Sequence, residues 1–342
     1  MTIIILILIL GVIIFIHELG HFIFAKKNGI YVYEFSLGFG PKLFSFKRKN
    51  DETEYMIKLI PLGGYVLMAG EEDLDNDKKI PDDKKLCNKK FHQRFMVLFA
   101  GVMNNFILAI VLLFTIGLVY GTVSANNVLD DIPTDGNLYK AGARNGDIIT
   151  KIDNQKTRNY DDIQTALALA ENKPINITIK SNNKETTYKI SPKKSKEDGN
   201  YYYGISVKVE REKGVLAALK YAKDKFISIY KTMFIVIKSL ITGKLGVDSV
   251  SGPVGIYTVV DTVKDSFQTI LFLTAYLSIN IGFMNLLPFP AFDGGRIFFL
   301  IIEKIKGSKL NPKVENTANF IGFALLMLLM IVVTIKDVIN LF

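Results

Sequence analysis

The sequence predicts a polytopic α-helical membrane protein with about four transmembrane helices, an inserted extracytoplasmic α/β domain and a cytosolic, membrane-associated β-hairpin. Three observations carry this. First, 49% of the 342 residues are hydrophobic and mean hydropathy is +0.25 although 22% are charged, so the two kinds must be segregated. Second, the segregation is visible: residues 2–16, 95–120, 267–290 and 317–335 carry no charged residue. The first of these continues as an apolar run of about two dozen residues broken only by His17, Glu18 and His21. Runs of this length cross about 30 Å of hydrocarbon. Third, about 145 residues of mixed composition separate the second and third runs, enough for a separate folded domain.

The first run begins the membrane part. It lacks a basic leader and contains His-Glu-His where a cleavable signal would be purely apolar, so it is expected to be retained. Lys26 and Lys27 follow it, and residues 25–94 hold fourteen Lys or Arg. The connection between the third and fourth runs carries Arg296, Lys304, Lys306, Lys309 and Lys313. The positive-inside rule puts both segments in the cytosol, both termini outside, and the long insert outside as well. The boundaries expected on this reading are 1–121, 122–210 and 211–342. The formal charge of +9 is spread among scattered lysines that alternate with Asp, Glu and Asn, which fits loop bias in a membrane protein and not a nucleic-acid surface. Cys87 is the sole cysteine, so no internal disulfide forms.

Within the first cytosolic loop, residues 42–49 and 54–60 flank Lys49-Asn50-Asp51-Glu52 as a hairpin. Glycines at Gly38, Gly40, Gly63 and Gly64 read as turns on its flanks. Phe39, Phe44, Phe46, Tyr55 and Leu59 make it apolar for a surface loop, which suits a hairpin dipping back toward the membrane; an ordinary cytosolic hairpin is the alternative. Residues 71–90 read as a solvated linker, and 214–241 as one or two amphipathic helices on the membrane surface.

His17-Glu18-Leu19-Gly20-His21 is the centre of the chemistry. At i and i+4 the two imidazoles share one helix face and can bind one zinc, with Glu18 placed to take a proton from a water there. Such groups in hydrocarbon are expensive without partners, and so usually mark function. A pair of helix-end histidines near headgroups is the plainer reading, but it leaves Glu18 without a partner. Catalytic zinc usually has three protein ligands. His92 sits in a basic membrane-edge setting and is set aside. Asp293 is the better third ligand: it closes Asn285-Leu-Leu-Pro-Phe-Pro-Ala-Phe-Asp293-Gly-Gly at the cytosolic end of the third run, where Pro288 and Pro290 break the helix and let the backbone bend it toward the metal.

In the insert, Ala141-Gly-Ala-Arg-Asn-Gly-Asp-Ile-Ile149 followed by Lys151-Ile-Asp-Asn154 resembles the core of PDZ domains. A helix over 160–171 and a strand over 175–180 come in the order of the circularly permuted bacterial members, with Tyr202-Tyr203-Gly204-Ile205 as a candidate carboxylate-binding loop.

Taken together, the chain resembles the site-2 protease family of intramembrane zinc metalloproteases, in its PDZ-containing bacterial RseP-type branch. The resemblance runs over nearly the whole chain: H-E-x-x-H in the first run, G-F-G-P after it, the PDZ-like insert, Gly252-Pro-Val-Gly-Ile256, and N-x-x-P-x-P-x-x-D-G-G. It implies that His17, His21 and Asp293 hold Zn2+ and that Glu18 is the catalytic base. It further implies that Asn280, Asn285 and Asn105 engage substrate, although Val102 stands where the family has proline near Asn105. The implied function is regulated intramembrane proteolysis in the bacterial plasma membrane, with the active site toward the cytosol. Single-span membrane proteins, shortened beforehand by another protease, would be the partners, in contact with lipid and not nucleic acid. Two rivals are weighed. A catalytically silent PDZ adaptor with a structural metal would not need Glu18, and a transporter should show internal repeats, which the four runs lack.

Overall fold

The uncharged runs become helices because, with no water in the hydrocarbon, a helix satisfies every backbone N–H and C=O within the segment. Among the described residues four helices are long and apolar enough to cross a membrane: Thr2–Lys27, Phe91–Tyr120, Phe267–Leu286 and Lys313–Ile339. The computed structural model describes residues 1–71, 75–194, 201–246 and 251–339. The elements begin with α1 (Thr2–Lys27), β1 (Val32–Lys47), β2 (Glu54–Met68) and α2 (Phe91–Tyr120). There follow β3 (Thr122–Leu129), α3 (Asn137–Lys140), β4 (Ile148–Ile152), β5 (Gln155–Lys156), α4 (Tyr160–Leu169), β6 (Ile175–Ser181), β7 (Lys184–Ile190), β8 (Lys193–Lys194), β9 (Tyr201–Tyr202) and β10 (Val207–Glu212). The chain closes with α5 (Val215–Ile241), α6 (Pro253–Val263), α7 (Phe267–Leu286), α8 (Asp293–Lys306) and α9 (Pro312–Ile339). Two compact units result, one of residues 1–113 with 246–342 and one of 114–245.

In the first unit, α1 and α2 lie against each other at Gly20, where any Cβ would collide with the Ala100 carbonyl of α2. Ile9 and Ile13 of α1 form a buried cluster with Val260 of α6 and Leu273 of α7. The Gly-Pro-Val-Gly sequence at the start of α6 has a local cause. Buried Asp337 of α9 accepts the N–H groups of Gly252 and Gly255, both at 2.8 Å, and so satisfies donors that a helix N-terminus leaves open. A Cβ on Gly252 would stand 2.9 Å from the Asp337 carboxylate.

The hairpin is larger than the 42–60 expected from sequence. Gly38, Gly40 and Gly63 adopt positive φ (86°, 83° and 115°) inside the strands, where they bend the chain and do not end it. As a result residues 34–37 of β1 lie between two stretches of β2, facing 64–67 on one side and 54–57 on the other, and 54–57 also face 44–47. Its turn is tied to the end of α1: Lys26 Nζ donates to Asp51 Oδ1 and Glu52 Oε1, each at 2.6 Å. Burial alone would push the Asp51 carboxyl up, but hydrogen bonds from Lys26, Tyr55 and the Thr53 N–H outweigh it and hold that carboxyl well below the usual carboxylate range. Phe44, Phe46, Ile57, Leu59 and Ile60 are exposed. The stretch expected to be a solvated linker is docked instead over its described part. Three short 3-10 turns span Asp75–Lys79, Asp82–Lys84 and Leu86–Asn88, and buried Asp77 accepts from Tyr33 Oη and from the Gly70 N–H, both at 2.8 Å.

The second unit is a sheet in the order β10-β3-β4-β6-β7, all antiparallel, with β5 paired to β4. Leu129, Ile149, Ile152, Ile163, Ile177 and Ile190 fill its core with α4. Asn159 caps α4 by accepting from the Asp162 N–H at 2.9 Å. Helix α5 belongs to this unit: Lys225 Nζ donates to Asp161 Oδ1 at 2.6 Å, and the Thr165 and Thr232 hydroxyls lie 2.9 Å apart.

Candidate metal centre

An unbroken α1 puts His17 and His21 one turn apart on the same buried face, their rings 4.8 Å apart and nearly perpendicular. The third group arrives from the far end of α7. That helix stops at Leu286, two residues before Pro288, whose ring cannot continue it. Ala291 then takes a φ of 77°, a strained value for a residue with a Cβ, and its N–H bonds Asn319 Oδ1 of α9 at 3.3 Å. The turn delivers Asp293 as the first residue of α8, where the helix N-terminus favours a carboxylate. Gly294 and Gly295 let that first turn lie directly on the carbonyls of residues 286–289; a Cβ on Gly294 would be 2.5 Å from the Leu286 carbonyl carbon.

The three groups meet. Asp293 Oδ2 is 3.1 Å from His17 Nε2 and 3.3 Å from His21 Nε2, and the two nitrogens are 3.2 Å apart. A tetrahedral zinc with bonds of about 2.0–2.1 Å spaces its ligand atoms by roughly 3.3 Å. Asp293 Oδ2 is buried and has no hydrogen-bond partner among the described residues despite this proximity. Three ligand atoms at this mutual spacing suit one shared ion, and the donor set of two imidazoles and one carboxylate suits zinc in a hydrolase. The residues present therefore fit the ion. Glu18 stands beside them, packed against β2 so closely that a Cβ on Gly64 would be 3.0 Å from Glu18 Cγ. Among the described residues its carboxylate has no hydrogen-bond or ion-pair partner, which leaves it free to accept a proton.

Helix α2 forms the remaining wall. His21 Nδ1 is 2.8 Å from the Val97 carbonyl, His17 Nδ1 is 3.3 Å from the Asn105 amide, and a Cβ on Gly101 would come within 2.8 Å of His17 Nε2. Val97, Gly101 and Asn105 recur every four residues on one face; that spacing is the signal by which sequence could single out Gly101, as it could not single out Gly64. The expected site residues thus separate. His17, His21, Glu18, Asp293 and Asn105 come together in the first unit. Asn285, in the last turn of α7, has no side-chain partner among the described residues, and Asn280 donates back to the Tyr276 carbonyl of its own helix at 2.7 Å. His92 is exposed at the start of α2. Helix α8 is braced from both sides by ion pairs, Arg296 with Glu71 and Arg94 with Glu303, around a polar cavity of about 810 Å³ that half-buried Cys87 also lines.

Comparison with known proteins points the same way. Residues 5–329 match Peptidase family M50. The chain is 34% identical to the regulator of sigma-W protease RasP of Bacillus subtilis (strain 168), an alignment covering 100% of this chain and 99% of that one. It is 33% identical to the zinc metalloprotease RasP of Bacillus licheniformis, again over 100% and 99%, and 32% identical to that of Geobacillus kaustophilus over 98% and 97%.

Proposed function

The chain belongs to peptidase family M50, the site-2 protease family of zinc metalloproteases, and from that premise we propose that it hydrolyses peptide bonds within or near the transmembrane segments of other membrane proteins. The observation that carries this reading is the convergence of Asp293 with His17 and His21, which lie with Glu18 on a helix long and apolar enough to span the membrane. Zinc, held by those three residues, supplies a Lewis acid that brings the pKa of a water toward ~7 and polarises the scissile carbonyl. Glu18 takes the proton from the attacking water and returns it to the leaving amine. Asn285 donates to the carbonyl oxygen as negative charge develops on it, and Asn280 has its own amide oxygen left for the substrate backbone.

A substrate in helical form hides its carbonyls in its own hydrogen bonds and must be drawn out before attack. Residues 64–67 of β2 support a way to do this: they pair with β1 on one side only, and Gly64 brings them against Glu18. A stretch of substrate added along that margin, or along the other margin at 42–47, would be held extended. Asp293 lies at the cytosolic end of α7 by the positive-inside rule, so cleavage occurs toward the cytosolic face of the plasma membrane.

Residues 122–210 read best as a circularly permuted PDZ domain outside the membrane. The strand order supports this, since β10 is an edge strand that follows a loop in which Gly204 has a φ of 72° and Tyr203 Oη donates to the Lys173 carbonyl at 2.7 Å. Such a domain would take an exposed C-terminus at β10, so that single-span substrates already shortened by another protease are preferred, among them anti-sigma factors and signal-peptide remnants. The test is cleavage of a tagged single-span protein, with and without its external domain, by wild type and Glu18→Gln in the same membranes. A fragment ending within the span, made by wild type alone and faster from the shortened substrate, is expected. No fragment from either protein across several substrates would turn the reading toward a silent adaptor.

A further inference from the structure

Both histidines turn Nε2 toward Asp293, so both must carry their remaining proton on Nδ1 when Nε2 serves a metal. A metal-bound histidine nearly always donates that N–H to an acceptor, which fixes the tautomer and the ring. His21 has one in the Val97 carbonyl at 2.8 Å. His17 Nδ1 instead faces the carboxamide of Asn105, a side chain that is 0% exposed. The amide presents its Nδ2 at 3.3 Å, while its Oδ1 is buried with no partner among the described residues. The two ends of a carboxamide have the same shape, and the network decides between them. A proton on His17 Nδ1 requires the oxygen there, and exchange of the two ends supplies it at the same separation.

We infer that Asn105 is the positioning residue of His17: its carboxamide oxygen accepts the Nδ1–H and holds the imidazole with the Nε2 lone pair facing the metal. The exchange turns the unpartnered end of the amide from an acceptor into a donor. Asn105 is itself held. Ser278 Oγ of α7 donates to its backbone carbonyl at 2.8 Å, and neighbouring Asn104 donates to the Ile16 carbonyl at 3.2 Å, one residue before His17. Helix α2 thereby orients both imidazoles, one through a backbone carbonyl and one through a side chain. This inference rests on His17 being a metal ligand.

The test is zinc retention by full-length protein in detergent against a graded chelator, for wild type, Asn105→Ala, Asn105→Asp and His17→Ala. Loss of an outer partner of this kind weakens metal binding by about 10–100-fold. Asn105→Ala should show that loss, and Asn105→Asp, which keeps an acceptor in the same place, should restore retention to within a few-fold of wild type. Equal retention by wild type and Asn105→Ala with His17→Ala depleted would overturn the role of Asn105 and leave the metal site standing. Equal loss in the Ala and Asp variants would overturn it too, since an acceptor in the same place would then fail to hold the ring. Retention by His17→Ala would remove the metal reading and this inference together. A measurement on wild type alone is independent of how the variants fold: the ring-nitrogen NMR shifts of the zinc-loaded protein should show His17 protonated at Nδ1, and protonation at Nε2 would contradict the assignment.

Discussion

On α1, His17 and His21 reach one face because the helix runs unbroken from Thr2 to Lys27, whereas Asp293 reaches them from a segment in which the backbone departs from helix between Leu286 and Asp293. The two sides of the site therefore depend on different things. The histidine side needs only helical spacing and a close neighbour, and most of α1's outer face is open, with nothing within 4 Å of where a Cβ on Gly11 would stand. The aspartate side needs a left-handed Ala291, two prolines, and three glycines that touch backbone directly: Gly294, Gly295, and Gly322 of α9, whose Cβ would lie 2.5 Å from the Pro290 carbonyl oxygen. Regular structure tolerates change there; the broken segment should not.

Removing either side outright should have the largest effect and should not distinguish them. His17→Ala and Asp293→Ala are each expected to lose zinc and to reduce cleavage to background, because two protein ligands do not hold a catalytic zinc. Metal content of the purified variants checks this, and full zinc occupancy in Asp293→Ala would exclude that carboxylate as a ligand. The contrast itself is tested next, with matched glycine replacements. Gly294→Ala forces a methyl into backbone carbonyls and should destabilise by about 1–3 kcal/mol while weakening zinc binding. Gly11→Ala should be neutral or stabilise by up to about 1 kcal/mol. Thermal unfolding with and without zinc reads both, and equal melting of the two variants would erase the distinction.

The smallest effect belongs to the hairpin turn. Asp51 is held below its usual range in the fold, so its contribution is fully present above the unfolded value near 4 and is lost as pH falls toward the lower folded one. Asp51→Asn should thus lower melting by an amount that is constant from pH 8 to pH 6 and shrinks only in acid. For a partly exposed pair the loss is about 1 kcal/mol or less. A difference that grows on acidification would reverse the sign of this account.

The same division explains what could be read from sequence. The helical spans and the His17-Glu18-His21 face are legible because length, charge segregation and a spacing of four need no tertiary information. The Pro-rich run shows that the helix must break before Asp293, yet not where the carboxylate will point, since that depends on Ala291 and on contacts from Asn319 and Gly322, about thirty positions away. The hairpin was legible as a turn and two strands, but Gly38, Gly40 and Gly63 bend strands as readily as they end them, so its extent was not. The placement of Asn105 against His17, separated by 88 positions, has no local signature. Nor does the packing of α5 on α4, which depends on Lys225 meeting Asp161.

The central claim is that one zinc, held by His17, His21 and Asp293, works with Glu18 as its base. Zinc content and substrate cleavage measured on the same purified preparations of wild type and Glu18→Gln test it most directly. One zinc per chain in both, with cleavage reduced about 10²–10⁴-fold in Glu18→Gln, is the result predicted. Cleavage by Glu18→Gln at the wild-type rate, or by wild type stripped of its zinc, would contradict it.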